Sequence, residues 1–232
     1  MSSRVAVFTL TRDRLDYTQR TFASMRERRP DHAYDHYVWD MGSTDGTAEW
    51  LADQQDAGRI KGWVLCGKNL GQHVGSNRAH DWLIGQGYDY LLRVDNDCEF
   101  KTDRWLKKLV RAQRALGAAA IVAPRVRGLD HPPAPIAVLQ KDGLNFTFVQ
   151  ILGGICRLMS AKALEGFRFE ERMPLAIGEA QALGEHCRTR IIPMAYVEDV
   201  VVRHMETTQG QIAADPAYHE RSFYERHIPY GL

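Results

Sequence analysis

The stretch YLLRVDND, residues 90–97, decides the fold. Its first five residues are mostly leucine, valine and tyrosine, which is typical of a buried strand. The run then stops at two carboxylates that are separated by one residue. In open α/β sheets, ligands bind beyond the carboxyl ends of the strands. The stretch therefore predicts a central strand that presents Asp95 and Asp97 at a binding edge.

On both sides of this stretch, short β-branched runs alternate with segments of helical periodicity, which indicates βα units. The predicted strands are 5–10, 34–39, 60–65, 88–94 and 119–123, and the predicted helices are 15–25, 47–57, 75–86 and 103–116. Polar residues follow the first four strands. This alternation predicts one α/β, Rossmann-like domain with a mostly parallel central sheet and helices on both faces.

The second half of the chain has a different rhythm. A proline-rich loop at 128–135 precedes strand-like runs at 136–139 and 145–159, a short helix at 178–186 and a late strand at 191–204. We therefore expect a mixed, partly antiparallel second half within a single domain, 1–232. The predicted parts of this domain are a first half at 1–127, a second half at 128–204 and a tail at 205–232, with a capped helix at 215–226.

Bulk composition excludes several classes of protein. The 232 residues include 30 Lys plus Arg and 29 Asp plus Glu, so no strong overall charge points to nucleic acid or to an acidic tail. The four cysteines are widely spaced and are expected to be reduced thiols. No signal peptide and no run of 18 apolar residues is visible. We expect a cytoplasmic location, with peripheral membrane association left open.

Asp95 and Asp97 are hard oxygen ligands of the kind that Mg²⁺ or Mn²⁺ prefers, and such an ion would bridge to a diphosphate. A metal-bridged diphosphate is a good leaving group, because the cation offsets the charge that develops on it. The alternative is that Asp95 caps a turn and Asp97 caps the next helix. Their position directly after a buried strand favours the metal site.

Three further motifs occur in order along the chain: TLTR at residues 9–12, DMGSTDGT at 40–47 and NLGQHVGSN at 69–77. Together with the D-x-D at 95–97, they closely resemble family 2 of the glycosyltransferases, which have the GT-A fold. The resemblance extends over nearly the whole chain, and it implies that 1–127 is the nucleotide-binding half and 128–204 the acceptor-side half. It implies a metal-dependent enzyme that moves a sugar from a nucleoside diphosphate sugar, with a UDP-sugar as the expected donor, to a hydroxyl acceptor with inversion.

The resemblance also implies site residues, with Asp40 accepting a hydrogen bond from the base and Asp97 as the main metal ligand. Glycines would let the backbone approach the nucleotide, and the helix after Gly75 would point its N-terminus inward. The predicted metal ligands are Asp95, Asp97 and His204. The predicted nucleotide-sugar contacts are Thr9, Thr11, Arg12, Asp40, Ser43, Asn69, Gly71, Gly75, Asn77, Asp95, Asn96, Gly153 and Gly154.

The chain departs from the family at GEAQAL, residues 178–183, where the family has G-E-D-x-D-L. The resemblance implies that the first of these aspartates would deprotonate the acceptor hydroxyl. In this chain both positions are alanine. Glu179 is then the predicted base, with Glu185, Glu198 and Asp199 as fallbacks. Glu179 could equally be a helix-start residue that the helix dipole favours.

Two hypotheses compete with sugar transfer. The missing aspartates would suit a catalytically silent sugar-nucleotide-binding protein. A row of basic residues on the helix after the D-x-D, Arg104, Lys107, Lys108 and Arg111, would suit a glucosyltransferase acting on modified DNA, or contact with anionic lipid, although a solvated helix face is the simpler explanation. A sugar-nucleotide pyrophosphorylase is excluded because its G-x-G-T-R-like loop after the first strand is absent.

Overall fold

A computed structural model describes residues 3–129, 132–172 and 178–206. The helices are α1 (Leu15–Glu27), α2 (Thr47–Asp56), α3 (Gly71–Gly85), α4 (Trp105–Leu116) and α5 (Glu179–Thr189). The strands are β1 (Val5–Thr11), β2 (Asp35–Asp40), β3 (Gly62–Leu65), β4 (Tyr90–Val94), β5 (Cys98–Phe100), β6 (Ile121–Arg127), β7 (Pro135–Lys141), β8 (Leu144–Val149), β9 (Cys156–Ser160) and β10 (Met194–His204).

All the described strands belong to one sheet, in the order β3-β2-β1-β4-β9-β6-β10-β8-β7, with β5 paired to β10. Strands β1 to β4 are parallel to one another. From β9 onward most pairs are antiparallel, and β6 with β10 is the parallel exception. The sequence prediction of a parallel first half and a mixed second half in one α/β domain is confirmed.

The sheet separates two apolar cores, because successive side chains of a strand point to opposite faces. In β4, Leu92 and Val94 pack with α1 and α4 in one core, and Leu91 packs with α3 and α5 in the other. A smaller cluster around Phe22 and Leu51 holds α2 against the edge of the sheet. Helices therefore cover both faces, and the loops at the carboxyl ends of the strands remain free to form a site.

Several boundaries differ from the sequence prediction, as in β6, which runs to residue 127 and not to 123, and three of the differences bear on the site. Helix α3 begins at residue 71 and not at 75, because the Asn69 Oδ1 atom accepts a hydrogen bond from the Gly71 N–H and closes a turn there. The run 145–159 is two strands, since the loop 150–155 interrupts it. Strand β5 has only three residues, too few to show periodicity, and it forms by pairing with β10.

No helix in the described ranges is long and apolar enough to cross a bilayer. All four cysteines are free thiols, and Cys98, Cys156 and Cys187 are buried, as expected. The predicted helix at 215–226 lies outside the described residues.

Candidate active site at the carboxyl ends of the parallel strands

The residues of the D-x-D diverge at the end of β4. The Asp95 N–H donates to the Ile155 carbonyl at 2.8 Å, so the turn is fixed to the loop before β9. The Asn96 amide points inward and donates to the hydroxyls of Thr11 at 3.1 Å and Thr18 at 3.2 Å. The predicted nucleotide contacts from the Asn96 and Thr11 side chains therefore do not fit, because these groups bond to one another and to α1. The two aspartates are left facing the edge.

Asp97 lies beside His204. The Asp97 Oδ2 atom is 3.2 Å from the His204 Nε2 atom, because β10 ends next to β5 and pairs His204 with Cys98. Burial raises the pKa of Asp97, but the hydrogen bond from His204 and the charge of Arg14 outweigh it and leave the pKa lowered. Burial lowers the pKa of His204, and the bond to Asp97 reverses this into a rise. Two of the three predicted metal ligands are thus adjacent.

Asp95 has a different partner. The Arg93 guanidinium, which lies inside β4, donates from Nε to the Asp95 Oδ1 atom at 2.8 Å. Burial raises the pKa of Asp95 to about 6, since it outweighs the charge of Arg93. Within residues 3–129, 132–172 and 178–206, no three His, Cys, Asp or Glu side chains are grouped as a complete metal centre. Asp97 and His204 could supply two ligands, and diphosphate oxygens would have to supply others.

Glu179, the predicted base, is buried at the first position of α5. Its Oε1 atom accepts hydrogen bonds from both Arg93 and Arg157, which are themselves fully buried. Burial raises the pKa of Glu179, but the two guanidiniums outweigh it and hold the pKa at about 2. A base must accept a proton in its working range. The arrangement therefore does not fit that role and makes Glu179 the shared counter-ion of two buried arginines.

The fallback carboxylates are also engaged. Glu185 pairs with Arg188 on the outer face of α5, and Glu198 pairs with Arg125. The Asp199 carboxylate accepts from the Asn145 N–H at 2.6 Å and so fastens the β7–β8 hairpin to β10. In the described part of the chain, none of the three contacts the D-x-D.

Gly153 and Gly154 lie in the loop beside Asp95. A Cβ atom on Gly154 would be 3.2 Å from the Glu179 Oε2 atom and 3.5 Å from the Arg93 Cζ atom, whereas one on Gly153 would have nothing within 4 Å. Gly154 is therefore the position where the loop closes onto the buried arginines. Both glycines lie at the predicted edge.

Asp40 ends β2 and is completely buried. Its Oδ1 atom accepts from the Ser43 N–H at 2.8 Å. Its Oδ2 atom has no hydrogen-bond partner among the residues that the structure describes. A buried carboxylate oxygen that is left unpaired is costly. Asp40 thus offers an acceptor of the kind predicted for a base N–H group.

The motif at 40–47 is bonded to the loop after β1. The Ser43 hydroxyl accepts from the Asp13 N–H at 2.7 Å, and the Thr44 N–H donates back to the Asp13 Oδ1 atom at 2.7 Å. The Asp45 carboxylate accepts from the Leu15 N–H at 2.8 Å and caps the start of α1. The motif therefore fixes the shape of a neighbouring loop as well as lining the edge.

Two of the predicted nucleotide contacts face away from the edge. The Thr9 hydroxyl is buried against the His36 Nε2 atom at 3.0 Å. The Asn77 amide is fully used by Glu171 and by the backbone of Phe169, which it bonds in both directions at 2.9 Å. Their predicted nucleotide contacts do not fit, because both side chains hold the interior together.

The other predicted residues have mixed roles. Arg12 is exposed, and its nearest ionic partner is Asp13 at 3.9 Å. Gly75 lets α3 pack on the sheet, since a Cβ atom there would overlap the Met41 Cε atom. Gly71 has a φ of 77°, which favours glycine at the start of α3. Asn69 makes the cap described above.

The basic face of α4 is partly paired. Arg104 forms an ion pair with Asp31 at 3.2 Å, the Lys108 ammonium donates to the Asp199 carbonyl at 3.3 Å, and Arg111 donates to the Asp142 carbonyl. This supports a solvated helix face over a nucleic-acid surface.

Sequence reasoning missed four residues of the site: Arg14, Arg93, Arg157 and Glu206. Arg93 and Arg157 do leave a signal, because an arginine inside an apolar strand must find a buried anion. Nothing in the local sequence marks Arg14 or Glu206, which come together across 192 positions at 2.8 Å.

With this geometry established, comparison with known proteins gives the family. The family model described as Glycosyl transferase family 2 matches residues 6–160, which includes the D-x-D, the paired loops and β9. The chain belongs to glycosyl transferase family 2. No curated protein sequence matches it.

Several solved structures share the glycosyltransferase fold. GalNAc-T7, solved with UDP, GalNAc and Mn²⁺, has a TM-score of 0.75 at 13% identity, covering 100% of this chain and 52% of its own. The mannosyltransferase PcManGT from Pyrobaculum calidifontis, solved with GDP-Man and Mn²⁺, has a TM-score of 0.68 at 15% identity, covering 92% and 60%. TarS residues 1–349 from S. aureus, solved with UDP-GlcNAc, has a TM-score of 0.66 at 14% identity, covering 90% and 60%. The chain thus spans between half and three-fifths of these proteins.

Proposed function

We propose that this family 2 glycosyltransferase transfers a sugar from a nucleoside diphosphate sugar, with a UDP-sugar as the expected donor, to a hydroxyl acceptor with the help of Mn²⁺ or Mg²⁺. The observation that carries the proposal is the pairing of Asp97 with His204 just after β4, at the same carboxyl edge of the parallel strands as the unpaired carboxylate oxygen of Asp40. Solved glycosyltransferases of the same fold that contain nucleotides and Mn²⁺ support it.

Asp97 and His204 would hold the ion, with Asp95 close by, and the bound ion would offset charge on the departing diphosphate. In the absence of the ion, Asp97 is kept ionised by His204 and Arg14, so an anionic ligand is ready for it. The ring nitrogen of His204 that faces Asp97 would have to give up its proton to become a ligand. Binding of the ion by Asp97 and His204 would therefore release the proton that these two side chains share.

Asp40 would select the base. When the carboxylate is ionised, its buried Oδ2 atom can accept a hydrogen bond but cannot donate one. Uracil and guanine present a ring N–H to such an acceptor, whereas cytosine and adenine present a bare ring nitrogen at the matching position. We therefore expect uridine and guanosine nucleotides to bind, and cytidine and adenosine nucleotides to be rejected, because two acceptors would face each other.

Glu179 is proposed as a positioning residue. By pairing with two buried arginines, it holds the start of α5 against the loop that contains Gly154. Inversion at the sugar carbon stays a prediction from the family resemblance. The configuration of the product, determined by NMR, tests it.

The test is a panel of nucleotide sugars incubated with the protein and Mn²⁺, with release of nucleoside diphosphate as the readout. We expect release with uridine or guanosine donors and loss of at least ~100-fold in Asp97→Asn. Asp81→Asn, which removes a carboxylate that pairs with Arg168 on the surface, is the matched control and should keep wild-type activity.

A catalytically silent nucleotide-sugar-binding protein is the second candidate. It is favoured by the alanines at 180 and 182 and by the engagement of Glu179 with two arginines. Binding of a donor without release or transfer, across a panel of sugar and lipid acceptors, would establish this function in place of the first.

A further inference from the structure

An arginine that the sequence motifs did not single out lies at the centre of the candidate site. Arg14 comes directly before α1, and its guanidinium stacks on the Tyr17 ring at 4.6 Å. Its Nη1 atom is 3.3 Å from the Asp97 Oδ2 atom, and its Nη2 atom is 2.8 Å from the Glu206 Oε2 atom. Asp97 is only 6% exposed and Glu206 only 12%. One guanidinium thus pairs with two largely buried carboxylates.

The backbone that directs this arginine is strained. Asp13 and Arg14 have φ angles of 53° and 64°, in the left-handed region that L-residues avoid. This conformation is unfavourable for an L-residue, so it persists only where neighbouring groups fix it. The bonds from Ser43, Thr44 and Asp45 to this loop supply the fixing. The loop is therefore built to hold Arg14 against Asp97.

Arg14 and a divalent ion would compete for the same carboxylate. Asp97 Oδ2 already receives Arg14 and His204, and an ion bound there would put two positive charges within a few ångströms of the guanidinium. Such repulsion opposes binding of the ion even where water screens it. When a diphosphate binds, its oxygens attract both the ion and the guanidinium, so the net interaction between these groups becomes favourable.

We propose that Arg14 is a place-holding cation, which occupies Asp97 and Glu206 in the donor-free protein and turns to the donor diphosphate when a divalent ion takes Asp97. The inference rests on the proposed function. Its consequence is that the ion binds weakly alone and tightly together with the nucleotide. The diphosphate draws Arg14 away and so removes the repulsion that opposes the ion, and the ion in turn pairs with Asp97 when Arg14 leaves it.

The experiment compares wild type with Arg14→Gln, which removes the charge and leaves a shorter, neutral polar side chain. Mn²⁺ binding without nucleotide is followed by electron paramagnetic resonance of the free ion, and UDP binding at saturating Mn²⁺ by calorimetry. We expect Arg14→Gln to bind Mn²⁺ on the order of fivefold more tightly and UDP on the order of tenfold more weakly. A merely structural residue would weaken both.

Arg20→Gln is the matched control, because Arg20 lies in the helix that Arg14 precedes, is near the same Tyr17 ring, at 5.8 Å, and carries the same charge. It should leave both affinities unchanged. If Arg14→Gln does not fold, Arg14→Met, which keeps the aliphatic stem on the ring, is measured with the same expectation.

Unchanged or weaker Mn²⁺ binding by the Arg14 variant, or unchanged UDP binding, would overturn the place-holding role while leaving the proposed function intact. If wild type binds no uridine or guanosine nucleotide at saturating Mn²⁺, the proposed function fails and this inference fails with it.

Discussion

Replacing Glu179 by glutamine should greatly lower the temperature at which the protein unfolds. The pKa of this buried carboxyl falls from 4.5 to about 2 in the folded protein. Each pKa unit corresponds to about 1.4 kcal/mol, so the ionised form contributes about 3 kcal/mol to the free energy of unfolding near pH 7. Glutamine removes this contribution and leaves the charges of Arg93 and Arg157 with Asp95 as their nearest anion.

The assay is thermal unfolding followed by circular dichroism at pH 7. A loss of about 3 kcal/mol in a domain of this size lowers Tm by roughly 6 to 12 °C. In wild type the contribution is complete above the unfolded pKa of 4.5 and disappears as the pH falls toward 2, because the folded-state pKa is the depressed one. Stability should therefore decline over that window, and Glu179→Gln should show less of this decline.

Two further variants make the test specific. Glu185→Gln removes an exposed carboxylate of the same helix, which pairs with Arg188 on the surface, and should leave Tm essentially unchanged, because water screens the pair. The double variant Glu179→Met with Arg157→Met removes one charge of each sign and should be less destabilised than Glu179→Gln alone. If Glu179→Gln instead unfolds within about 2 °C of wild type while sugar transfer is lost, the counter-ion role is wrong and Glu179 acts on the acceptor.

The remaining predictions concern packing, pH and the base. Gly75→Ala should cost about 1–3 kcal/mol, because the added methyl overlaps Met41, whereas Gly85→Ala at the open end of the same helix should be neutral or stabilising by chemical denaturation. Mn²⁺ binding by the donor-free protein should weaken as the pH falls through about 6, where Asp95 gains a proton. The raised pKa of His204 acts in the same direction. A Mn²⁺ affinity that stays constant in calorimetry from pH 7.5 to 5 would contradict this. Asp40→Asn should weaken UDP binding on the order of tenfold in fluorescence titration, and an unaltered affinity would remove Asp40 from the base site.

Much of the fold could be predicted from the sequence because its signals are local. The apolar run at 90–94 and the repeated βα pattern are readable in short windows, and so the parallel half and the position of Asp95 and Asp97 at its edge could be stated in advance. Gly75 and the capping residue Asn69 were also marked as special positions. The structure gives some of these motif residues interior roles, as with Asn77 and Thr9.

The partners of each charged group depend on long-range pairing, which local patterns do not contain. Arg93 meets Glu179 across 86 positions, and Asp97 meets His204 across 107. Whether a carboxylate is a base or a counter-ion depends on those neighbours and on burial, since burial raises the pKa of a carboxyl and neighbouring cations lower it. The sequence by itself therefore determined the βα scaffold and the edge where the D-x-D lies. Only the tertiary structure decided that Glu179 is bound between two arginines and that Arg14 occupies Asp97, because both facts arise when distant segments pack together.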